Sequence, residues 1–297
     1  MINKIKAIQD KLNSNFFYNF DTSKKVWFRA GGKTAVFCEV YNSNELQIIL
    51  NNVGDMDYKI IGAGSNLLIR DRGYEGILLK LGKNFNQIKK HANFLEVGAG
   101  LLDVNLAKFA KQNMIKGFEF YSGIPGTIGG SIKMNSGCFG SETKDILKDV
   151  KIINSSKIEN SFTKDQLELS YRSSNLSKTD IITSARFYYS HGNSEEIINR
   201  INNIKIMRKN SQPIKAKTSG STFKNPKNSF AAKLIEMSDC KGLNVNDAFV
   251  SDKHANFLIN TNNASAKDIE ELGNRIIDKV YNKFNITLEW EIEIIGN

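Results

Sequence analysis

The chain has 297 residues, of which 40% are hydrophobic and 24% charged, a composition that allows a sizeable core and argues against a disordered chain. Lys and Arg total 41 against 31 Asp and Glu, a net charge of +10, but the basic residues are scattered and form no cluster of the kind that marks a nucleic-acid interface. Its three cysteines are far apart and lack CxxC spacing, no stretch approaches the ~18 apolar residues of a membrane span, and the first residues hold no apolar signal core. A soluble, cytoplasmic protein without metal, membrane or nucleic-acid partners is therefore expected.

The expected elements follow in chain order. Residues 1–12 form a short helix with Ile2, Ile5, Ile8 and Leu12 on one stripe. Residues 34–40 form a strand, and Ser43 or Asn44 caps a helix to about Val53. Strand 58–61 ends at Gly62, and short β-type runs recur at 67–69, 77–79 and 94–97. Helix 103–112 precedes strands at 150–153 and 181–188. Ser194, with Glu195 and Glu196 in the first turn, opens a helix carrying Ile197, Ile201 and Ile204. A short helix at 231–237 and a strand at 257–259 come next. Ser265 and Asp268 resemble a capping box before Ile269, Leu272, Ile276, Val280 and Phe284. An alternating strand at 287–295 closes the chain. Helices and strands are mixed with few regular βαβ units, so the expected class is α+β. Glycine is concentrated before residue 141, which places a glycine-rich ligand-binding part first and a smaller α/β part after about 205.

Two glycine loops carry the chemistry. Gly62-Ala63-Gly64-Ser65-Asn66 follows a strand directly, where glycines let backbone N–H groups approach a phosphate. It is not a dinucleotide fingerprint, because Leu67 stands where a third glycine is needed and another strand follows. Gly123-Ile124-Pro125-Gly126-Thr127-Ile128-Gly129-Gly130-Ser131 is the stronger signal, with Asn135 and Gly137 beyond it. Pro125 stiffens its entry, Thr127 can cap a helix, and such a helix start suits a pyrophosphate through its unpaired N–H groups. Gly98-Ala99-Gly100 is either a third loop or a plain strand-to-helix turn.

These loops, together with Tyr171-Arg172-Ser173-Ser174, Ser219-Gly220-Ser221-Thr222-Phe223-Lys224-Asn225-Pro226 and the terminal Leu288-Glu289-Trp290-Glu291, resemble the motifs of the UDP-N-acetylenolpyruvoylglucosamine reductases, in that family's order. Phe28-Arg29-Ala30-Gly31-Gly32 resembles its early Gly-Gly segment. The resemblance implies an α+β fold: a vanillyl-alcohol-oxidase-type FAD-binding module of two subdomains, at 1–90 and 91–205, and a C-terminal substrate domain at 206–297. The chain is similar to the family's short form, which lacks the loop with a substrate-covering Tyr.

The reaction implied is reduction of the enolpyruvyl double bond of a UDP-sugar in peptidoglycan precursor synthesis. NADPH gives hydride to noncovalent FAD, and reduced flavin passes it to the terminal enolpyruvyl carbon. Charge then develops beside the carboxylate, so positive charge and a proton donor are needed there. By resemblance Arg172 binds and polarises the carboxylate, Ser221 is the proton donor, and Glu291 polarises the intermediate or relays the proton. Glu289, two residues away on the same strand face, is its competitor. Lys224 is matched to the diphosphate, with Asn225 and Tyr171 as further substrate contacts. Gly62, Ala63, Gly64, Ser65, Asn66, Gly123, Pro125, Gly126, Thr127, Gly129, Gly130 and Asn135 fall to the FAD. A monomer is expected. The competing readings are another FAD enzyme of this fold and a non-enzymatic nucleotide- or RNA-binding protein.

Overall fold

The structure is a computed structural model that describes residues 2–297; Met1, at the start of the first expected helix, lies outside the described residues. The chain divides into two compact units, one made of Met1–Tyr18, Val36–Ala63 and Gly76–Ile206, the other of Asn19–Ala35, Gly64–Glu75 and Met207–Asn297.

The first unit holds helices α1 (Ile2–Gln9), α2 (Ser43–Asn52), α3 (Asp103–Gln112), α4 (Ile128–Lys133) and most of α5 (Ser194–Ser211). A five-stranded sheet runs in the order Glu159–Thr163, Leu147–Ile153, Ile181–Tyr188, Phe94–Gly98, Ile88–Lys90, with every neighbouring pair antiparallel. Its inward residues Val97, Val150, Ile152, Ala185 and Phe187 share a core with Leu106 and Ala110 of α3 and Ile128 and Ile132 of α4. A four-stranded sheet, in the order Asn15–Asp21, Lys33–Val40, Tyr74–Leu81, Tyr58–Ile60, supplies Val36, Val40, Ile77 and Leu79 to a second core. Helix α2 enters that core with Leu46, Ile49 and Leu50, the spacing of a one-sided apolar stripe.

The second unit holds α6 (Ala231–Met237) and α7 (Ala266–Phe284). They pack with a three-stranded antiparallel sheet of Asn244–Val245, Ala248–Val250 and Leu258–Asn260. Glu293–Ile295 pairs in parallel with Leu67–Ile69. Ile269, Leu272, Ile276 and Val280 of α7 are fully buried, and the capping box forms as its residues suggest: Asp268 N–H donates to Ser265 Oγ at 3.0 Å and Ser265 N–H to Asp268 Oδ2 at 2.9 Å. No helix among the described residues is long and apolar enough to cross a membrane.

One helix start differs from expectation by one residue. Glu45 N–H donates to Asn42 Oδ1 at 2.9 Å, so α2 is capped by Asn42 and not by Ser43 or Asn44. Helix α5 opens at Ser194 with Glu195 and Glu196 in its first turn, as expected, and Asn193 Oδ1 accepts from Glu195 N–H at 2.8 Å just ahead of it. Asn and Ser cap about equally well, so sequence alone does not choose between neighbours. The expected strand at 287–295 is regular only over Glu293–Ile295; residues 289–291 instead lie along 222–224, where Phe223 and Trp290 form an isolated bridge.

Trp290 also explains a glycine in the middle of a long helix. A Cβ built on Gly273 of α7 would lie 2.0 Å from Trp290 Cη2, so the indole occupies the space a side chain would need. Replacing a helical glycine by alanine ordinarily stabilises by up to about 1 kcal/mol. Here Gly273→Ala is expected to destabilise, by about 1–3 kcal/mol of overpacking. A lower urea midpoint for this variant is the expected result, and an unchanged or higher midpoint would contradict the seating of Trp290.

Candidate active site

In the first unit the two glycine stretches meet. A Cβ on Gly62 would lie 2.5 Å from Thr127 Oγ1, so only glycine permits the turn after strand Tyr58–Ile60 to approach the second loop this closely. Ala63 continues that turn, half-buried. Pro125, Gly126 and Gly129 are half-buried and Gly130 is exposed. Ser122 Oγ, at the entry to the second loop, is buried without a hydrogen-bond partner among the described residues.

The start of α4 corrects one expectation. Thr127 stands at the N-cap position but its side chain makes no capping bond. The Ile128 and Gly129 N–H groups are not unpaired: they donate to the carbonyls of Leu101 and Ala99, each at 2.9 Å. The loop is folded against the turn before α3 and uses its donors there.

Asp103 clasps the same loop from inside. It is fully buried, its N–H donates to Gly126 O at 3.1 Å, and Ser131 Oγ donates to its Oδ2 at 2.7 Å, while Oδ1 has no partner among the described residues. Burial pushes this carboxyl from 3.8 up to about 8, against the lowering effect of the Ser131 hydroxyl and of the Gly126 backbone beside the carboxyl.

Asn135 is fully buried with φ of 39°. Its Nδ2 donates to Ser170 O at 3.1 Å and to Glu142 Oε2 at 3.0 Å, and its Oδ1 accepts from Lys144 N–H at 3.0 Å. Ser170 and Ser173 pair through both backbone bonds, at 3.1 and 3.2 Å, leaving Tyr171 and Arg172 as the tip of a two-residue turn. Arg172 has φ of 53°, uncommon for a bulky residue; its Cζ lies 5.2 Å from the Tyr171 ring centroid and its Nη2 donates to Gly137 O at 3.4 Å.

In the second unit the Ser219–Pro226 stretch is held on both sides. Thr222 N–H donates to Asn256 O at 2.8 Å, Phe223 N–H to Asn256 Oδ1 at 2.9 Å, and Asn256 Nδ2 to Phe223 O at 2.8 Å. On the other side Glu291 N–H donates to Thr222 O and Lys224 N–H to Glu289 O, both at 2.9 Å. Ser221 and Glu291 therefore sit on adjacent, backbone-locked stretches, both half-buried. Glu289 is different: its side chain is 74% exposed and lies 3.3 Å from Lys224 Nζ. Thr218 Oγ1 and Ser219 Oγ are buried without partners among the described residues.

Asn66 Nδ2 donates to Glu291 O at 3.0 Å, Gly64 O accepts from Trp27 N–H at 3.0 Å, and Ser65 between them is half-buried. Asn225 Oδ1 accepts from Ala231 N–H at 3.0 Å and so serves the first turn of α6. Thus Asn66 and Glu291 come together in the second unit, as Asn135, Tyr171 and Arg172 do in the first.

Residues 212–295 match the family model described as UDP-N-acetylenolpyruvoylglucosamine reductase, C-terminal domain, and residues 34–156 match an FAD binding domain model. The UDP-N-acetylenolpyruvoylglucosamine reductase of Rickettsia conorii is 42% identical over 279 residues, covering 94% of this chain and 95% of that protein. The corresponding protein of Rickettsia bellii strain RML369-C is 41% identical over 280 residues, covering 94% and 93%. The crystal structure of UDP-N-acetylenolpyruvylglucosamine reductase from Thermus caldophilus superposes with a TM-score of 0.84 at 31% identity, covering 96% of this chain and all of that one.

The chain belongs to the UDP-N-acetylenolpyruvoylglucosamine reductase family. It is an oxidoreductase enzyme with an FAD-binding domain, on an α+β fold of the vanillyl-alcohol-oxidase type.

Asp103 and Glu142 are site residues that no sequence pattern marks. Asp103 looks like an ordinary first-turn acid of α3, and nothing local shows that it turns inward. Its raised pKa carries a pH signature for this reductase. Between 3.8 and about 8 the folded state holds a proton that the unfolded state has released, so stability falls as pH rises through that window and levels off above it. Asp103→Asn, which keeps an acceptor for Ser131, is expected to remove this component and gain stability relative to wild type near pH 8. Chemical denaturation between pH 5 and about 9 checks it, and parallel pH curves for the two proteins would contradict it.

Proposed function

We propose that the protein reduces UDP-N-acetylglucosamine enolpyruvate to UDP-N-acetylmuramate with NADPH, in peptidoglycan precursor synthesis, as a cytoplasmic monomer carrying noncovalent FAD. The observation that carries the reading is the backbone-locked pairing of the Ser221 and Glu291 stretches, in a chain of this reductase family. The division into subdomains at 1–90 and 91–205 and a substrate domain at 206–297 is part of the same proposal.

The first unit fits a flavin nucleotide. Two glycine-lined turns meet at Gly62 and Thr127, and Ser122 presents a buried hydroxyl oxygen without a partner among the described residues. Gly62, Ala63, Gly64, Ser65 and Asn66 would hold the group together with Gly123, Pro125, Gly126, Thr127, Gly129 and Gly130. Asn135, enclosed and bonded to Glu142, Ser170 and Lys144, has no free amide donor to offer the group. Because Ile128 and Gly129 N–H groups are paired, close approach and hydroxyl contacts, more than a free helix terminus, would serve the diphosphate. When bound, FAD supplies the hydride, taken from NADPH.

The protein's own groups bind, orient and protonate. Arg172 offers a planar fork to the substrate carboxylate, with two parallel bonds that steady the charge developing next to it. Its left-handed backbone is a strained arrangement of the kind found at functional sites. Ser221 donates the proton. A serine hydroxyl is a weak acid, so Oγ needs a proton returned as it gives one up; Glu291, protonated, is assigned to polarise the intermediate or relay that proton. Glu289 is the weaker alternative, since it is mostly exposed and already faces Lys224. That exposed ion pair is worth at most about 1 kcal/mol, so Lys224 can exchange Glu289 for the more highly charged diphosphate. Asn225 and Tyr171 complete the substrate contacts.

Ser221→Ala tests the reading. Turnover is expected to fall by about 10²–10⁴-fold, the usual weight of a general acid, while flavin reduction by NADPH persists and substrate KM changes little. Turnover within about threefold of wild type would remove Ser221 from the mechanism.

A further inference from the structure

Asn135 was expected on the flavin, yet its side chain is fully enclosed and makes three bonds within the protein. Those bonds reach two distant stretches of chain. Ser170 O belongs to the turn that presents Tyr171 and Arg172, Glu142 belongs to a two-stranded ribbon with Gly137, and Lys144 follows it. Arg172 Nη2 donates to Gly137 O in the same ribbon, opposite Glu142. Lys144 above all, and then Asn135 and Arg172, hold the Glu142 carboxyl below its usual range, so Glu142 is an anion near enough to Arg172 to feel its charge. At its other end Asn135 N–H donates to Ile132 O at 3.0 Å, and Ser174 Oγ donates to Lys133 O at 2.8 Å, both in α4. The left-handed Arg172 turn is thereby fastened to the helix that continues the second glycine loop.

We propose that Asn135 is a positioning residue for Arg172, clamping the Tyr171–Arg172 turn through Ser170 O and fixing the Glu142 carboxylate that orients the guanidinium. The proposal rests on the reading that Arg172 binds the substrate carboxylate. It predicts that Asn135 governs reduction of the enolpyruvyl group and not reduction of the flavin. Asn135 has three of its four amide hydrogen-bond positions filled by named partners, so changes there translate into movement of the turn.

Two variants separate positioning from general support. Asn135→Gly deletes the amide and tolerates the positive φ; Asn135→Asp keeps the shape but turns a donor into an anion beside Glu142 and a carbonyl. Each is made alone and with Arg172→Ala in the flavin-loaded full chain, and the two half-reactions are followed separately by flavin absorbance. Reoxidation by the enolpyruvyl UDP-sugar is expected to slow by about 10–100-fold, the scale of a small misplacement, with reduction by NADPH within about twofold and flavin content unchanged. In the Arg172→Ala background neither change is expected to slow reoxidation further, because both act through one group. Additive losses, or losses shared by both half-reactions and by flavin content, would overturn the positioning role. If Arg172→Ala alone leaves reoxidation intact, the carboxylate reading of Arg172 falls and the inference with it. If Arg172→Ala is damaging while both Asn135 variants are harmless, the inference alone falls.

Discussion

The short antiparallel contact between residues 222–224 and 289–291 is the constraint on which the second unit depends. It is built on backbone bonds from Glu291 N–H to Thr222 O and from Lys224 N–H to Glu289 O, with Phe223 facing Trp290 between them. The ring centroids of that pair are 5.0 Å apart, and the indole is seated where α7 has only a glycine. Asn256 grips Thr222 and Phe223 from the other side through main-chain and amide bonds. An irregular stretch without its own secondary structure is thus held by packing behind it and hydrogen bonds on either side. That is what the proposed proton donor would need, because a donor misplaced by an ångström loses much of its effect.

The first unit uses a different device. Its glycine loops are shaped by buried polar groups: Asp103 beneath Gly126 and Ser131, and Asn135 beneath the Arg172 turn. Buried polar groups stabilise only when their partners are in place, and a partly satisfied one carries a cost. Asn135 meets that condition. Asp103 meets it with one oxygen and leaves the other without a partner among the described residues, and burial raises its pKa.

What the sequence discloses is what short-range chemistry decides. The α7 capping box lies within four residues, and the Ile and Leu stripe behind it needs only helical spacing, so both are visible in advance. The glycine loops are visible because glycine is costly elsewhere. Their internal bonding is not visible, since the carbonyls that take the Ile128 and Gly129 N–H groups belong to Leu101 and Ala99, far back along the chain. The tie from Asn135 to Ser170 likewise spans 35 residues. The expected terminal strand at 287–295 has a sound alternating pattern, but tertiary bonding to residues 222–224 takes over its first half. Alternation reports which side chains face inward, whereas a sheet also requires a neighbouring strand of matching length. Glu289 and Glu291 are indistinguishable by period, and only the fold separates an exposed ion pair from a half-buried carboxylate.

The central claim is that this chain couples a nicotinamide to an enolpyruvyl UDP-sugar through bound FAD. The most direct measurement is anaerobic absorbance of the purified wild-type protein, reduced with one equivalent of NADPH and then mixed with UDP-N-acetylglucosamine enolpyruvate. The account predicts a flavin band that bleaches with NADPH and returns on adding the sugar, with UDP-N-acetylmuramate formed in equal amount. A flavin that bleaches but is restored only by oxygen would contradict the substrate assignment, and a protein that neither carries nor binds flavin would contradict the account as a whole.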